Sequence, residues 1–327
     1  MDLRKSIILK CNDSGFPLAN VIDILPNLKQ HSQSYKKYSN WIDKKYHGEM
    51  GYLERGLERK KDPRILFPEA KSILCVGLPY SSKIIGSNNS QQGVKYARYL
   101  RGEDYHKRIP SMLKQALESL EDATLKWKIC VDTSALLERT WAALAGLGWI
   151  GKNSMLIHPK YGSYFLLGFA LLNKEVHHTE TPMKNYCGNC TKCINNCPTK
   201  AIIEQKSLDS KKCISYITLE KKNKTELLSS HYTHNTNWIA GCDICQEVCP
   251  FNLKKTKIEE NLKQDFEPNY PYLWDELDSE TENSYKNRIK NSALNRIKYN
   301  QFKENILLIK RLQVLPKSIH KDESESF

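Results

Sequence analysis

The sequence contains no apolar run long enough to cross a membrane. Its longest apolar stretches, such as residues 72–79 and 164–172, are only of strand length, whereas a membrane helix needs about 20 apolar residues. The first residues also lack the long apolar core and the small-residue cleavage site of an export signal. These absences predict a cytoplasmic protein without a membrane partner.

Acidic residues are in the minority. The chain has 37 Asp and Glu against 50 Lys and Arg, which gives a net charge of +13. A balance of this size favours a polyanionic partner, with nucleic acid first and a membrane surface second. A lysine-rich composition without a specific partner would give the same balance, so charge alone leaves both interpretations open.

Cysteine is the residue type that the sequence has in excess, with eleven in 327 residues. A disulfide framework belongs to exported proteins, and the sequence shows no export signal. Clustered cysteines in a cytosolic chain indicate metal binding instead.

The first cysteine cluster has the complete spacing of a bacterial ferredoxin, C-x2-C-x2-C-x3-C-P. Its members are Cys187, Cys190, Cys193 and Cys197, followed by Pro198. Three closely spaced thiolates can ligate three irons of one cubane, and the cysteine before the proline ligates the other cluster in two-cluster ferredoxins. A zinc site would use two separated C-x2-C pairs. The spacing therefore predicts 4Fe-4S clusters.

The second cysteine cluster has the same ending but lacks its first ligand, because Ile239 stands where that cysteine would fall. Cross-ligation assigns one 4Fe-4S cluster to Cys187, Cys190, Cys193 and Cys249. The other takes Cys197, Cys242 and Cys245, and is completed by Cys213. A three-iron or labile second cluster, with Cys213 merely buried, is the alternative.

The remaining cysteines have structural interpretations. Cys75 and Cys130 lie in apolar stretches and Cys11 follows one, and buried free cysteine behaves as a small hydrophobic residue.

Hydrophobic periodicity predicts an α/β fold. Residues 1–60 have helical spacing with a break at Pro26. Buried strands are expected at residues 72–79, 128–132 and 164–172, and helices at 109–126 and 135–147. The Lys- and Arg-rich composition of residues 285–311 predicts one basic helix.

At this point the chain resembles a known family, epoxyqueuosine reductase. The resemblance is carried by residues 62–64 (DPR), 95–99 (KYARY), 101–106 (RGEDYH), 131–133 (VDT), 137–139 (LER), 146–153 (GLGWIGKN), 213–216 (CISY), 241–246 (GCDICQ) and, weakly, 292–298 (SALNRIK). It implies a nitroreductase-like, cobalamin-binding catalytic domain over residues 1–178. A ferredoxin-type domain over 179–255 and a basic helical segment over 256–327 would follow.

The resemblance implies that the epoxide of epoxyqueuosine, at the wobble position of a tRNA anticodon, is reduced to the alkene of queuosine. The implied cofactors are cobalamin and two 4Fe-4S clusters. Asp132 matches the family's proton donor, and we expect burial at the end of a strand to raise its pKa. Helix capping by Asp132 is the alternative role.

The same resemblance implies cobalamin contacts at several positions: Arg64, Tyr96, Arg98, Asp132, Lys152, Asn153, His158 and Ser215. A cobalt-ligating histidine is not expected. The nearest match to D-x-H-x-x-G is centred on His106 and has Ile109 in place of the glycine. This absence suits the base-off cobalamin of the family.

The implied partners are the anticodon stem-loop of tRNA and a reductant protein such as flavodoxin or ferredoxin, with the chain acting as a monomer. A basic-aromatic stretch is a candidate for RNA or corrin contacts, or for a solvated face; it comprises Lys95, Tyr96, Arg98, Tyr99, Arg101, Tyr105, Lys107 and Arg108. Two other functions compete: a reductive dehalogenase-like enzyme acting on a small molecule, and a ferredoxin-like electron carrier. The ordered motifs outside the cysteine clusters argue against a pure carrier.

Overall fold

The computed structural model describes residues 2–80, 93–100, 102–178, 181–222, 224, 237–253 and 273–314, and Arg101 of the basic-aromatic stretch lies outside them. The strands are β1 (Leu18–Asp23), β2 (Ser72–Pro79), β3 (Lys95–Tyr96), β4 (Trp127–Cys130), β5 (Trp149–Ile150), β6 (Leu156–Ile157), β7 (Phe165–Leu172), β8 (Ile202–Glu204), β9 (Ser207–Leu208) and β10 (Trp238–Ala240). The α-helices are α1 (Leu3–Asp13), α2 (Ile24–Asp43), α3 (Leu57–Lys61), α4 (Tyr105–Glu118), α5 (Glu138–Leu144), α6 (Lys192–Asn195), α7 (Ile214–Leu219), α8 (Ile244–Glu247), α9 (Pro250–Leu253), α10 (Trp274–Ser279), α11 (Glu282–Ile289) and α12 (Tyr299–Val314).

The centre of the α/β part is a four-stranded sheet of order β1-β2-β7-β4, in which every neighbouring pair is antiparallel. All eight residues of β2 are buried because helices cover both faces of the sheet. Leu74 and Val76 pack into one core cluster with residues of α1 and α4, whereas Ile73 and Cys75 pack into a second cluster with residues of α5. The continuous apolar run that predicted this strand is thus explained, and the mixed α/β class is confirmed.

The N-terminal prediction was wrong in one respect. Residues 1–60 were expected to be helical, but Leu18–Asp23 form an edge strand that pairs with β2. Pairing with residues 49 to 59 positions away decides the structure of this segment, and local periodicity does not contain that information. The predicted break at Pro26 is also absent, because Pro26 is the third residue of α2. In the first turn the missing N–H of proline costs no helical hydrogen bond.

The cysteine-rich part is joined to the α/β part by strand pairing and by a shared core. Strand β3 pairs in parallel with β10, which ends two residues before Cys242. The C-terminal residues pack here too: Tyr285, Phe302 and Ile306 are almost fully buried in the cluster that contains Leu74. The division of the chain at residues 178 and 255 stays a prediction.

The single basic helix expected over residues 285–311 is instead two helices, α11 and α12. A 3-10 turn at Ala293–Arg296 separates them, and the Ser292 side chain caps that turn. In the part of the chain that the structure describes, no helix combines the length and the apolar character needed to span a bilayer.

Candidate active site and cluster ligands

The cysteines fall into two groups in space. Burial raises the pKa of the Cys193 thiol, and the charges of Cys187, Cys249 and Cys190 raise it further. Burial is also the largest cause of the raised pKa of Cys249, to which Cys187 and Cys190 add. These four thiols therefore lie close together, although Cys249 is more than 50 residues away in sequence.

The second group is identified in the same way. Burial raises the pKa of Cys245 strongly, and the charges of Cys213 and Cys197 add to it. Cys242 is influenced in the same way by Cys213 and Cys245. Cys193 also acts on Cys245, so the two groups are neighbours. Cys213 thus lies with Cys242, Cys245 and Cys197, and the assignment of these thiols as cluster ligands stays a prediction.

The thiols are spread out within each group. No three His, Cys, Asp or Glu side chains of the described ranges converge as the ligands of a single ion would. Ligands of a cubane each bind a different iron, so such a spread does not conflict with 4Fe-4S binding. Cys11, Cys75 and Cys130 are buried elsewhere, in the core, as expected.

Residues of the glycine-rich turn contact both cysteine groups. The Trp149 indole Nε1 donates to Cys187 Sγ at 3.5 Å, and the Trp149 ring packs edge-on against Phe251. Asn153 Nδ2 donates to the backbone oxygen of Cys245 at 3.2 Å. This turn therefore packs against both cysteine groups. Hydrogen bonds to cluster sulfurs tune reduction potentials.

Arg98 lies in a buried ion pair. Its backbone N and its guanidinium Nη1 donate to Asp243 Oδ2 at 2.8 and 3.0 Å, and its Nη2 lies 2.9 Å from Glu247 Oε1. The Arg98 and Asp243 side chains are 4% and 1% exposed. The pair fixes the 3-10 turn at Arg98–Leu100 to the α8 segment between Cys242 and Cys249. A role for Arg98 in cobalamin binding stays a prediction.

The other predicted cobalamin contacts are partly assembled around the second cysteine group. Tyr96 is fully buried on β3, and Lys152 and Asn153 are buried in the glycine-rich turn. Ser215 lies in the first turn of α7, two residues after Cys213. Arg64 lies in a 3-10 turn, where it is paired with Asp62 at 2.6 Å.

The histidines of this region suit a cobalamin without a protein ligand on cobalt. His158 Nδ1 accepts from the backbone N–H groups of Lys160 and Tyr161, at 3.1 and 3.2 Å. Burial lowers the pKa of His158 to about 4, so the ring is neutral and its proton lies on Nε2. That N–H can donate to an amide or phosphate of the cofactor, but it offers no lone pair to a metal. His158 can therefore contact the cofactor but not ligate cobalt, and the base-off form of the cobalamin stays a prediction.

Asp132 follows β4 by two residues and stands in a strained conformation. Its φ is 45°, a left-handed value that non-glycine residues rarely adopt. Its backbone N–H donates to Glu138 Oε1 at 2.6 Å, and its Oδ2 lies 3.0 Å from His106 Nε2. The carboxyl is 49% exposed, so it is available to a ligand.

The expected raised pKa of Asp132 was wrong for this conformation. The hydrogen bond from His106 lowers the pKa, and it outweighs burial; the charges of His106 and Arg296 lower it further. Asp132 is therefore ionised near neutral pH. The alternative of helix capping is not realised, because the N-cap of α5 is Leu137 and Asp132 instead donates its backbone N–H to the Glu138 carboxyl.

Two groups beside Asp132 have raised pKa values, and the sequence interpretation missed both. His106 is bonded to Asp132 and, through Nδ1, to Asp104 at 2.7 Å, and these contacts raise its pKa. Burial raises the pKa of Glu138 to about 8, with a further contribution from the charge of Asp132. The signals were present, because His106 and Glu138 stand in the quoted RGEDYH and LER motifs.

Tyr99 interacts electrostatically both with the acid cluster around Asp132 and with Asp243, which adjoins the second cysteine group. Burial raises the pKa of Tyr99, which is also influenced by Arg296, Asp132 and Asp243. Asp243 follows Cys242 directly. The predicted electron route and the proton-holding residues therefore meet in one region of the molecule.

Comparisons with known proteins agree with this architecture. The family model "Epoxyqueuosine reductase QueG, DUF1730" matches residues 60–133, and "4Fe-4S double cluster binding domain" matches residues 186–252. The second match supports two 4Fe-4S clusters.

Relatives match over almost the whole chain. A curated epoxyqueuosine reductase of Prochlorococcus marinus is 39% identical over 311 residues, which cover 94% of this chain and 96% of that protein. An epoxyqueuosine reductase crystal structure with a tRNA-Tyr epoxyqueuosine-modified stem loop has a TM-score of 0.79 at 27% identity. A Bacillus subtilis epoxyqueuosine reductase, whose aspartate-bearing catalytic loop is swung out of the active site, has a TM-score of 0.80 at 25% identity. Both structural matches cover 94% of this chain and 80% of the other. The chain belongs to the epoxyqueuosine reductase family.

Proposed function

We propose that this protein reduces the epoxide of epoxyqueuosine in the tRNA anticodon to the alkene of queuosine. The observation that carries the proposal is the acid cluster around Asp132, in a chain that matches an epoxyqueuosine reductase over 94% of its length. Tyr99 interacts electrostatically with this cluster and with Asp243, beside Cys242. A pure electron carrier would need no such cluster. A small-molecule dehalogenase would not need the charge of +13.

The reaction consumes two electrons and two protons, and the epoxide oxygen leaves as water. The clusters supply electrons singly, and base-off cobalamin, when bound, supplies a cobalt centre whose reduced state is a strong nucleophile. The chain's own residues handle the protons. Asp132 is half exposed. Its carboxyl is hydrogen-bonded to His106 and its backbone N–H to Glu138, so the carboxyl is positioned to give a proton to the departing oxygen.

The tRNA contacts are expected around this carboxyl. Tyr52 is 45% exposed, and the charges of Arg296 and Asp132 both act on its hydroxyl group. Lys107 is exposed one residue beyond His106. An exposed tyrosine can stack on an extruded base while basic side chains contact phosphates. We expect binding to weaken steeply with salt.

Electrons enter, in this proposal, at the first cysteine group. Its loop is far more exposed than the second group, and Lys184, Lys192 and Lys200 stand exposed along it. Tyr186, 55% exposed, packs against Trp149 beside Cys187. A basic face of this kind suits an acidic donor such as flavodoxin or ferredoxin. The chain would act as a monomer in the cytoplasm, where its tRNA substrate is; light scattering tests the monomer.

The decisive experiment is anaerobic reconstitution with iron, sulfide and cobalamin, followed by assay on tRNA from cells that lack this protein. We expect conversion of epoxyqueuosine to queuosine. Asp132→Ala should be nearly inactive with both clusters intact, whereas Asp43→Ala, which removes an exposed aspartate at the end of α2, should behave as wild type. Full activity of Asp132→Ala would remove Asp132 from the mechanism.

A further inference from the structure

We propose that His106, held by Asp104, is the proton store that loads Asp132 during the reaction. His106 acts through Asp132 and is therefore a positioning residue rather than a group that touches the substrate. The inference rests on the proposed function. It answers a question that the geometry raises, namely how a carboxyl that is ionised at rest can deliver two protons.

Both imidazole nitrogens of His106 are engaged with carboxylates. Nε2 lies 3.0 Å from Asp132 Oδ2, and Nδ1 lies 2.7 Å from Asp104 Oδ1. A neutral imidazole has one donor and one acceptor nitrogen, so it satisfies only one of two carboxylates. For both hydrogen bonds to form, one proton must be present in addition to that of a neutral ring between two ionised carboxylates.

Asp104 fixes the ring in this position. It is the N-cap of α4, where its Oδ1 also accepts from the backbone N–H of His106 at 3.0 Å. The Tyr105 ring is stacked on the imidazole at 4.1 Å between centroids. An acid bonded to the far nitrogen of a catalytic histidine orients the ring and stabilises its protonated form.

The charges that face this pair favour the protonated ring. Asp132 and Asp104 contact it directly. Glu138 also faces the ring, but its pKa of about 8 leaves it uncharged at neutral pH. Arg296 is the opposing cation, and it acts on Asp132 while itself paired with Glu220. The hydrogen bonds to Asp132 and Asp104, together with the charges of these two carboxylates, raise the pKa of His106 above its usual value and so favour the stored proton.

The proton balance follows from the geometry. The stored proton passes from His106 Nε2 to Asp132 Oδ2 and from there to the epoxide oxygen as the first C–O bond breaks. The ring takes a second proton from solvent, to which it is 28% exposed. That proton follows the same path when the second C–O bond breaks, and the oxygen leaves as water. The two electrons come from the clusters, so no further reactant is required.

The test uses single-turnover rates of the pre-reduced, reconstituted enzyme on epoxyqueuosine tRNA as a function of pH. The wild-type rate should fall as pH rises through the raised pKa of His106, because the store empties. His106→Gln should be slower by about 100-fold and should lack this alkaline decline. Asp104→Asn should shift the decline to lower pH by about one unit, because Asn keeps the helix cap but removes the charge.

Two controls separate a proton store from a structural role. Asp2→Asn, which makes the same change at the N-cap of α1, should leave the profile unmoved. Glu138→Gln should keep the alkaline decline, which excludes Glu138 as its source. A histidine-selective NMR titration measures the pKa of His106 without any turnover, and the signal that is lost in His106→Gln assigns the resonance. In Asp104→Asn this pKa should be lower by the same amount as the alkaline decline. An unshifted titration and an unchanged decline in Asp104→Asn would overturn the proposal, whereas an inactive wild-type enzyme would overturn only the proposed function.

Discussion

Glu138→Gln is expected to change how the stability of the protein depends on pH. Glu138 lies in the first turn of α5, and burial raises its pKa from 4.5 to about 8. The folded state therefore keeps this proton over a pH range in which the unfolded state releases it. Stability that is fully present below about pH 4.5 must then be lost as pH rises towards 8. Glutamine is neutral throughout, so the variant lacks this loss.

The magnitude follows from the size of the shift. Each pKa unit corresponds to about 1.4 kcal/mol, so a shift of about 3.5 units bounds the effect near 5 kcal/mol. Movement of the Asp132 loop, which is held to Glu138 by a 2.6 Å hydrogen bond, can relieve part of this penalty. We expect the variant to gain about 2 to 5 kcal/mol over wild type between mildly acidic and mildly alkaline pH.

Anaerobic urea unfolding of the cluster-loaded protein across this pH range measures the difference. The carboxylic acid stretching band in infrared spectra supplies a local readout, since wild type should show at pH 7 a protonated carboxyl that the variant lacks. Glu58→Gln, which changes a glutamate that is 74% exposed on α3, is the matched control and should follow wild type. The reasoning would be refuted if the stability of Glu138→Gln and of wild type changed equally with pH and their infrared spectra showed the same carboxylic acid band. Glu138 would then be ionised in the folded protein.

Two further predictions concern the cluster region. Cys213→Ala should lose about half of the cubane iron, because it removes one of the four thiols of the second group; iron content equal to two full clusters would contradict the ligand assignment. Arg98→Met should cost about 3 to 5 kcal/mol of stability by leaving the Asp243 carboxylate buried without its partner, and Arg98→Met combined with Asp243→Asn should recover much of it. Equal unfolding midpoints for the single and double variants would show that the pair is not coupled.

The cysteine grouping and the central strands could be predicted from sequence because local spacing encodes them. Four cysteines in eleven residues can be interpreted without a fold, and β2 is an unbroken apolar run since both of its faces are covered. The β1 strand could not be predicted, because its only distinguishing feature is its pairing with β2. The same limit explains the buried position of Arg98, whose carboxylate partners are more than 140 residues away.

The acid cluster illustrates why a site residue can be located from sequence while its charge state cannot. Asp132 was placed correctly at the end of a strand, and burial there alone would raise its pKa. Its actual state depends on His106, 26 residues away, whose bond lowers the pKa of Asp132 and outweighs burial. The raised pKa expected for the donor belongs instead to Glu138, which bonds the backbone of Asp132 and not its carboxyl. Proton donation by Asp132 therefore depends on His106 as well, and changing His106 should alter the pKa of Asp132 although Asp132 itself is unchanged.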